Sequence, residues 1–190
     1  MNIALIALDY IFDIAHSEGK IARPAQQVTE RNVIAQANRA LALAQQKGWL
    51  RILVKVGFTA SYVDQPKHSR MFGQVHKFGA IALDQPGTAF HPELAAELGE
   101  LVIVKPRVSA FYSTNLDAVL RARRIERLII CGISTTWAVQ STARDAHDRD
   151  YQVLVLEEAC AAATLEEHRV SMEMLAHITD IVTLEDLRDL

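Results

Sequence analysis

Short apolar runs alternate along the chain with stretches whose apolar residues recur at helical spacing. Residues 3–8 (IALIAL) read as a buried strand. Residues 25–47 follow as a helix, entered at Pro24 and closed by Gly48. Residues 51–56 make the next strand. A short helix over 92–98 precedes a strand over 101–104. Thr114 is placed to cap a helix over 115–124. Residues 127–131 form a fourth strand, with a helix over 136–149 behind it. Then come a strand at 152–156, a helix at 165–178, a short strand at 181–182 and a terminal helical turn at 184–190. Six strands joined by helices predict an α/β fold. We expect a doubly wound six-stranded parallel sheet in order 3-2-1-4-5-6, with helices on both faces and right-handed crossovers. No linker, repeat or low-complexity segment divides residues 1–190, so one domain is expected.

The stretch 57–91 breaks the alternation. It holds Gly57, Pro66, Gly73, Gly79 and Pro86 and has no clear period. A loop this long in a compact domain is usually a lid or a subunit contact. Its Met71, Phe72, Phe78 and Ile81 carry more apolar surface than a lid needs, so a homo-oligomer is expected.

Composition narrows the class of partner. The 190 residues are 50% hydrophobic and 23% charged, an ordinary globular mix. The 20 Lys+Arg against 23 Asp+Glu give −3, which leaves no broad electrostatic case for nucleic acid or an anionic membrane. Arg121, Arg123 and Arg124, with Arg127 behind them, read as a solvated helix end. Two cysteines, Cys131 and Cys160, make no disulfide framework and suit a reducing compartment. The N-terminus lacks a basic leader region, and no apolar run approaches a membrane span. The expectation is a cytoplasmic protein acting on a small molecule.

In an open parallel sheet, ligands bind beyond the carboxyl ends of the strands. The first strand ends at Asp9, the second near Phe58, the third at Lys105 and the fourth at a turn running from Gly132 to Ala138. Asp9 alone is either a surface acid at a strand exit or part of a site. Lys105 alone is more often structural. Together they form a pair in which burial raises the carboxylate pKa while the lysine lowers it, a pattern typical of catalytic sites. The segment CGISTTWAVQSTARDA (131–146) passes from strand through Gly132 to the N-terminus of a helix. Free amides there can hold an oxyanion, and a nucleophile often sits in such a turn. Here no serine or cysteine occupies that place. Cys131 and Cys160 read as inert core thiols. Phe58, Tyr62, Phe111 and Trp137, near the strand ends, either line an apolar pocket or belong to the core. Among the seven histidines no metal-ligand spacing occurs. His68, His76 and His91 read as exposed loop residues. No glycine-rich phosphate loop is present. We expect no metal and no cofactor.

ALIALDYIFDI, VIVKPRVSAFYSTNLD, LIICGISTTWAVQSTARDA and VLVLEEACAAAT, in that order and spacing, resemble the signature blocks of the isochorismatase-like hydrolase superfamily, also called the cysteine hydrolases. The resemblance covers nearly the whole chain and implies the doubly wound fold already read. It includes nicotinamidases, carbamoylsarcosine, biuret and ureidoacrylate amidohydrolases, and isochorismatases. In the amidohydrolases an aspartate, a lysine and a cysteine form a triad. The matching positions are Asp9, Lys105 and Ala138. The implied oxyanion hole uses the amides of Ser134 and Ala138, with a non-proline cis peptide between Ile133 and Ser134.

The chain also departs from the pattern. Alanine has no lone pair, which closes the thioester route. The Asp-x-His group of the nicotinamidase metal site is replaced by VGFTASYVD, and the glutamine usual two residues after the aspartate is Ile11. KPRVSAF is close to the block of isochorismatases, which also lack the cysteine and use the aspartate as general acid. The resemblance therefore implies a hydrolase working without a thiol, with Asp9 as general acid or base. Two alternatives stand beside it. One is an inactive small-molecule-binding homologue, the other an amidohydrolase whose cysteine has been replaced at 138.

Overall fold

The computed structural model describes residues 2–190. Its six-stranded sheet has the order β3-β2-β1-β4-β5-β6, and every pairing is parallel. In chain order the elements are β1 (Ile3–Leu8), α1 (Phe12–Ala15), α2 (Ala25–Glu30), α3 (Val33–Gln46), β2 (Leu50–Val56), α4 (Val75–Phe78), β3 (Leu101–Lys105), α5 (Leu116–Ala122), β4 (Arg127–Ile133), α6 (Gln140–His147), β5 (Gln152–Ala161), α7 (Leu165–Leu175), β6 (Asp180–Val182) and α8 (Leu184–Arg188). All six residues of β1 are buried, as a central parallel strand covered on both faces must be.

Several expected elements differ in instructive ways. The helix over 25–47 is broken into α2 and α3 at Asn32, whose φ of 53° is left-handed. Asparagine tolerates that conformation, so the break carries little strain. The helix over 92–98 is reduced to one 3₁₀ turn, Ala96–Leu98. The Asn38 side chain holds the approach to it, donating to Glu93 O at 2.7 Å and accepting from Ala95 N at 2.8 Å. The strand expected to end at Leu156 continues to Ala161. Its register against β4 jumps from Ile130↔Val155 to Gly132↔Cys160, so Glu157 and Glu158 ride on a bulge.

The 57–91 segment is better ordered than its composition suggests. Phe58, Tyr62, Phe72, Val75 and Ile81 build a second apolar cluster with Ile11 and Val56. The buried Asp13 carboxylate anchors this loop by accepting from Ile81 N at 2.7 Å. Phe72 and Ile81 are thus used within the chain, whereas Met71 and Phe78 remain exposed.

A close backbone approach lies between β1 and β4. Gly132 has φ 148°, and a Cβ built on it would stand 2.3 Å from Leu8 O. Only glycine lets β4 lie against the end of β1 here. Gly132→Ala should therefore cost about 2–3 kcal/mol, read as a lowered midpoint in urea unfolding. An unchanged midpoint would mean that the two strands can part freely.

Candidate active site

Four strands deliver groups to one cavity of about 710 Å³ at the carboxyl edge of the sheet. Asp9 comes from the exit of β1, Val56 from the end of β2, Lys105 from the end of β3, and Ile133, Ser134, Trp137 and Ala138 from the turn after β4. The volume suits a small metabolite. The loop residues Arg70, Met71 and Phe72 close one side, and Arg23 and Glu167 stand at another.

Asp9 leaves β1 with φ 56°, a conformation aspartate adopts more readily than most residues. That turn directs its carboxylate across the edge of the sheet. Oδ2 lies 2.6 Å from Lys105 Nζ, and Oδ1 accepts from Val56 N at 2.7 Å. Lys105 also donates to Val108 O at 2.6 Å. Both ionic groups are almost wholly buried. Burial raises the Asp9 pKa above its ordinary value, and Lys105 and the Val56 amide only partly oppose the rise. Asp9 is thus an acid whose proton is held more tightly than usual, beside a fixed cation.

The turn after β4 opens with a cis peptide between Ile133 and Ser134 and continues as one π-helical turn, Thr135–Val139, into α6. Ser134 O accepts from both Trp137 N and Val139 N, at 3.2 Å each. Among the described residues the N–H groups of Ser134 and Thr135 make no backbone hydrogen bond, as expected where a helix begins. Ala138 is buried and lines the cavity, and Trp137, 54% exposed, stands at its mouth.

The other aromatic candidates lie elsewhere. Phe58 and Tyr62 are buried in the second apolar cluster, where Tyr62 Oη donates to Ala80 O at 2.9 Å. Phe111 is buried in the main core, stacked on Tyr151. None of the three lines the cavity. Each lies close to a strand end in sequence, but β-branched and aromatic side chains there are taken up by packing. The two thiols are both buried and free; burial pushes the Cys131 thiol up to about 12 and also raises the Cys160 thiol well above the ordinary thiol range.

The segment after β2 does not suit a metal. The Asp64 carboxylate is spent on Thr59, accepting from its N at 3.0 Å and its Oγ1 at 2.8 Å, and Phe58 is packed away. No trio of histidine, cysteine or acidic side chains is grouped for a metal among the described residues. The His91 ring lies tilted against that of His16, with centroids 5.3 Å apart, and His68 is exposed.

The charged cavity residues missed by sequence reasoning are Arg23, Arg70 and Glu167. None belongs to a motif, and each reaches the cavity only through tertiary folding. Arg23 Nη2 is 3.9 Å from Glu167 Oε1. Arg70 makes no ion pair or side-chain hydrogen bond among the described residues.

A doubly wound sheet with an aspartate and a lysine paired at its carboxyl edge, facing an amide-rich turn, defines a class of hydrolytic enzyme. The chain belongs to the isochorismatase domain family, whose model matches residues 3–186, and this is a family of hydrolases. It is similar to an uncharacterized isochorismatase family protein, YecD, of Escherichia coli O157:H7, at 32% identity over 76% of this chain and 74% of that one. It is also similar to a ureidoacrylate amidohydrolase, RutB, of Azorhizobium caulinodans, at 31% identity over 78% of this chain, though it spans only 65% of that protein's length. Among solved structures, an isochorismatase family protein of Desulfovibrio vulgaris superimposes with a TM-score of 0.87 and 26% identity, covering 99% of this chain and 97% of that one. No helix among the described residues is long and apolar enough to cross a membrane.

Removing Lys105 should leave a buried carboxylate without its counter-ion. Lys105→Met is expected to cost about 3–5 kcal/mol near neutral pH. The sign with pH follows from Asp9. A carboxyl with a raised folded-state pKa gives stability that is full below its unfolded value of 3.8 and is lost as pH rises through the folded value. Without the lysine that window widens upward. The Lys105→Met deficit should therefore shrink between pH 7.5 and pH 5 in urea unfolding. A deficit that grows on acidification would contradict the pairing.

Proposed function

We propose that this chain hydrolyses a small anionic or carbonyl-bearing metabolite by general acid–base catalysis, with no covalent enzyme intermediate. The observation that carries this reading is the buried Asp9–Lys105 pair, 2.6 Å apart, in a cavity that Ala138 also lines. For a ureido or amide substrate, a water oxygen adds to the carbonyl carbon while the Asp9 carboxylate takes the water's proton. The turn amides at Ser134 and Ala138 hold the oxygen that gains charge. Asp9 then gives its proton to the departing nitrogen as the carbon–nitrogen bond breaks. For a vinyl ether, Asp9 starts protonated and acts first as the acid. The raised Asp9 pKa suits both directions. Lys105 keeps the carboxylate in place and tempers that rise. Trp137 forms an apolar wall for the substrate at the mouth.

Arg23 is offset by Glu167, and Arg70, which makes no ion pair among the described residues, leaves a positive charge in the lining that favours a carboxylate on the substrate. The similarity to a ureidoacrylate amidohydrolase puts ureido carboxylates first in a test panel, followed by primary amides and vinyl-ether carboxylates. A homo-oligomer that covers Met71 and Phe78 belongs to the same reading, and light scattering at micromolar concentration checks it.

The absence of a side-chain nucleophile at Ala138 favours one rival, an amidohydrolase that has lost its thiol. Three measurements separate the readings. Asp9→Asn should lower turnover of any panel compound by at least about 10²-fold. Mass spectra taken during turnover should show only the unmodified chain. Ala138→Cys should not be needed for activity. Turnover confined to Ala138→Cys, or hydrolysis that survives Asp9→Asn, would refute the acid–base reading. Thermal stabilisation by a panel compound with no turnover in either chain would point to a binding protein.

A further inference from the structure

The turn after β4 has two faces. Ser134, Trp137 and Ala138 line the cavity. Thr135 and Thr136 turn the other way, towards α7. His168 Nδ1 lies 2.8 Å from Thr135 Oγ1, and Ser171 Oγ lies 3.3 Å from Thr136 Oγ1. His168 and Ser171 are three residues apart, so they share one face of the helix. Thr135, His168 and Ser171 are each at most 2% exposed. The α7 helix thereby grips the turn through two side-chain contacts from behind the site.

The partners of His168 fix its tautomer. Nε2 is 3.4 Å from Glu157 Oε1 on the β5 bulge, which when ionised can only accept. Nε2 therefore carries the proton, and Nδ1 accepts from the Thr135 hydroxyl. Two charged groups act on the ring. Glu157, from β5, favours the imidazolium. Arg31, between α2 and α3, opposes it from the position where it donates to Cys160 O at 2.8 Å. Burial opposes it most, so His168 titrates below the ordinary histidine range.

We propose that neutral His168 is a positioning residue that holds the turn in register with Asp9 and Lys105, and that its protonation releases that hold. The inference rests on the reading of the turn amides as donors to the substrate. A proton on Nδ1 makes that nitrogen a donor. It then faces a hydroxyl whose own hydrogen has lost its acceptor in a buried site, where an unmet polar group is costly. The turn shifts to relieve this, and its cavity face moves with it. His168 touches no substrate and moves no substrate proton.

Trp137 reports on the turn, because it is exposed while Trp49 is buried. Acrylamide quenching of the full-length chain should show a transition in Trp137 exposure below about pH 6.5, the ordinary histidine value. For whichever panel compound is turned over, kcat should fall through the same transition with little change in KM. His168→Asn offers Oδ1 as a non-titrating acceptor for Thr135. It should keep kcat within about threefold and abolish the acidic transition, whereas His168→Ala should lower kcat on the order of 10- to 10²-fold. Thr135→Val should remove the transition as well, which keeps the test sharp should His168→Ala fail to fold. A quenching transition that persists in His168→Asn would assign it to a carboxylate such as Asp9 or Glu167 and overturn the proposal. So would a kcat indifferent to His168→Ala. If no panel compound is turned over but the transition follows His168, the coupling stands and the catalytic reading alone falls.

Discussion

The structure depends on one carboxylate that fastens three strands. Asp9 at the exit of β1 and Lys105 at the end of β3 are not on neighbouring strands, since β2 runs between them. Two strand spacings of about 4.8 Å separate their backbones. The lysine side chain spans that gap, and the Val56 amide of β2 donates to the same carboxylate within it. A buried cation and a buried anion each demand the other. The exit of β1 and the end of β3 are therefore held in one relative position, and the loop beginning at Pro106 is tied in through the Val108 carbonyl. Every statement about the cavity presupposes this fixed edge.

The second constraint is steric. Gly132 lets β4 close on Leu8, so the following turn emerges directly beside Asp9. The chain then winds through a π-helical turn instead of entering α6 directly. A π turn offsets the residues that follow it, and such turns concentrate at functional sites. Here the offset divides the turn into a cavity face and a face held by α7. The β5 bulge belongs to the same device, because it carries Glu157 to the far side of His168.

The sheet was legible in the sequence because the pattern of parallel sheets is strong: short apolar runs with β-branched residues, each followed by a helical period. The order 3-2-1-4-5-6 and the parallel pairing follow that reading. Boundaries were legible only where local chemistry sets them. Pro24 marks the entry to α2 and Gly48 stands just past α3, but Asn32 divided the helix with no local warning. The tail of β5 was hidden because EE interrupts its apolar run, although both glutamates have structural work: Glu157 faces His168, and Glu158 accepts from Leu184 N at 2.5 Å. Asp9 and Lys105 were visible as charges ending apolar runs. Phe58, Tyr62 and Phe111 show the weakness of the same logic. An aromatic near a strand end satisfies the rule equally well by turning into the core. Arg70 and His168 could not be seen at all, since their significance lies in what the folded chain sets opposite them.

The proposed acid–base reading does not need a side-chain nucleophile at position 138. Replacing a buried ion pair by apolar residues of similar size is often neutral or stabilising. Stability alone therefore gives no reason to keep Asp9 and Lys105 against a cavity wall. The burial that makes the pair expensive also raises the Asp9 pKa, which gives the carboxyl a proton it can both hold and release. With alanine at 138, a substrate carbonyl in the cavity would meet no thiol at that position. On the proposed reading, the ion pair and the amide-rich turn would act on water and on the substrate's charge without a thiolate.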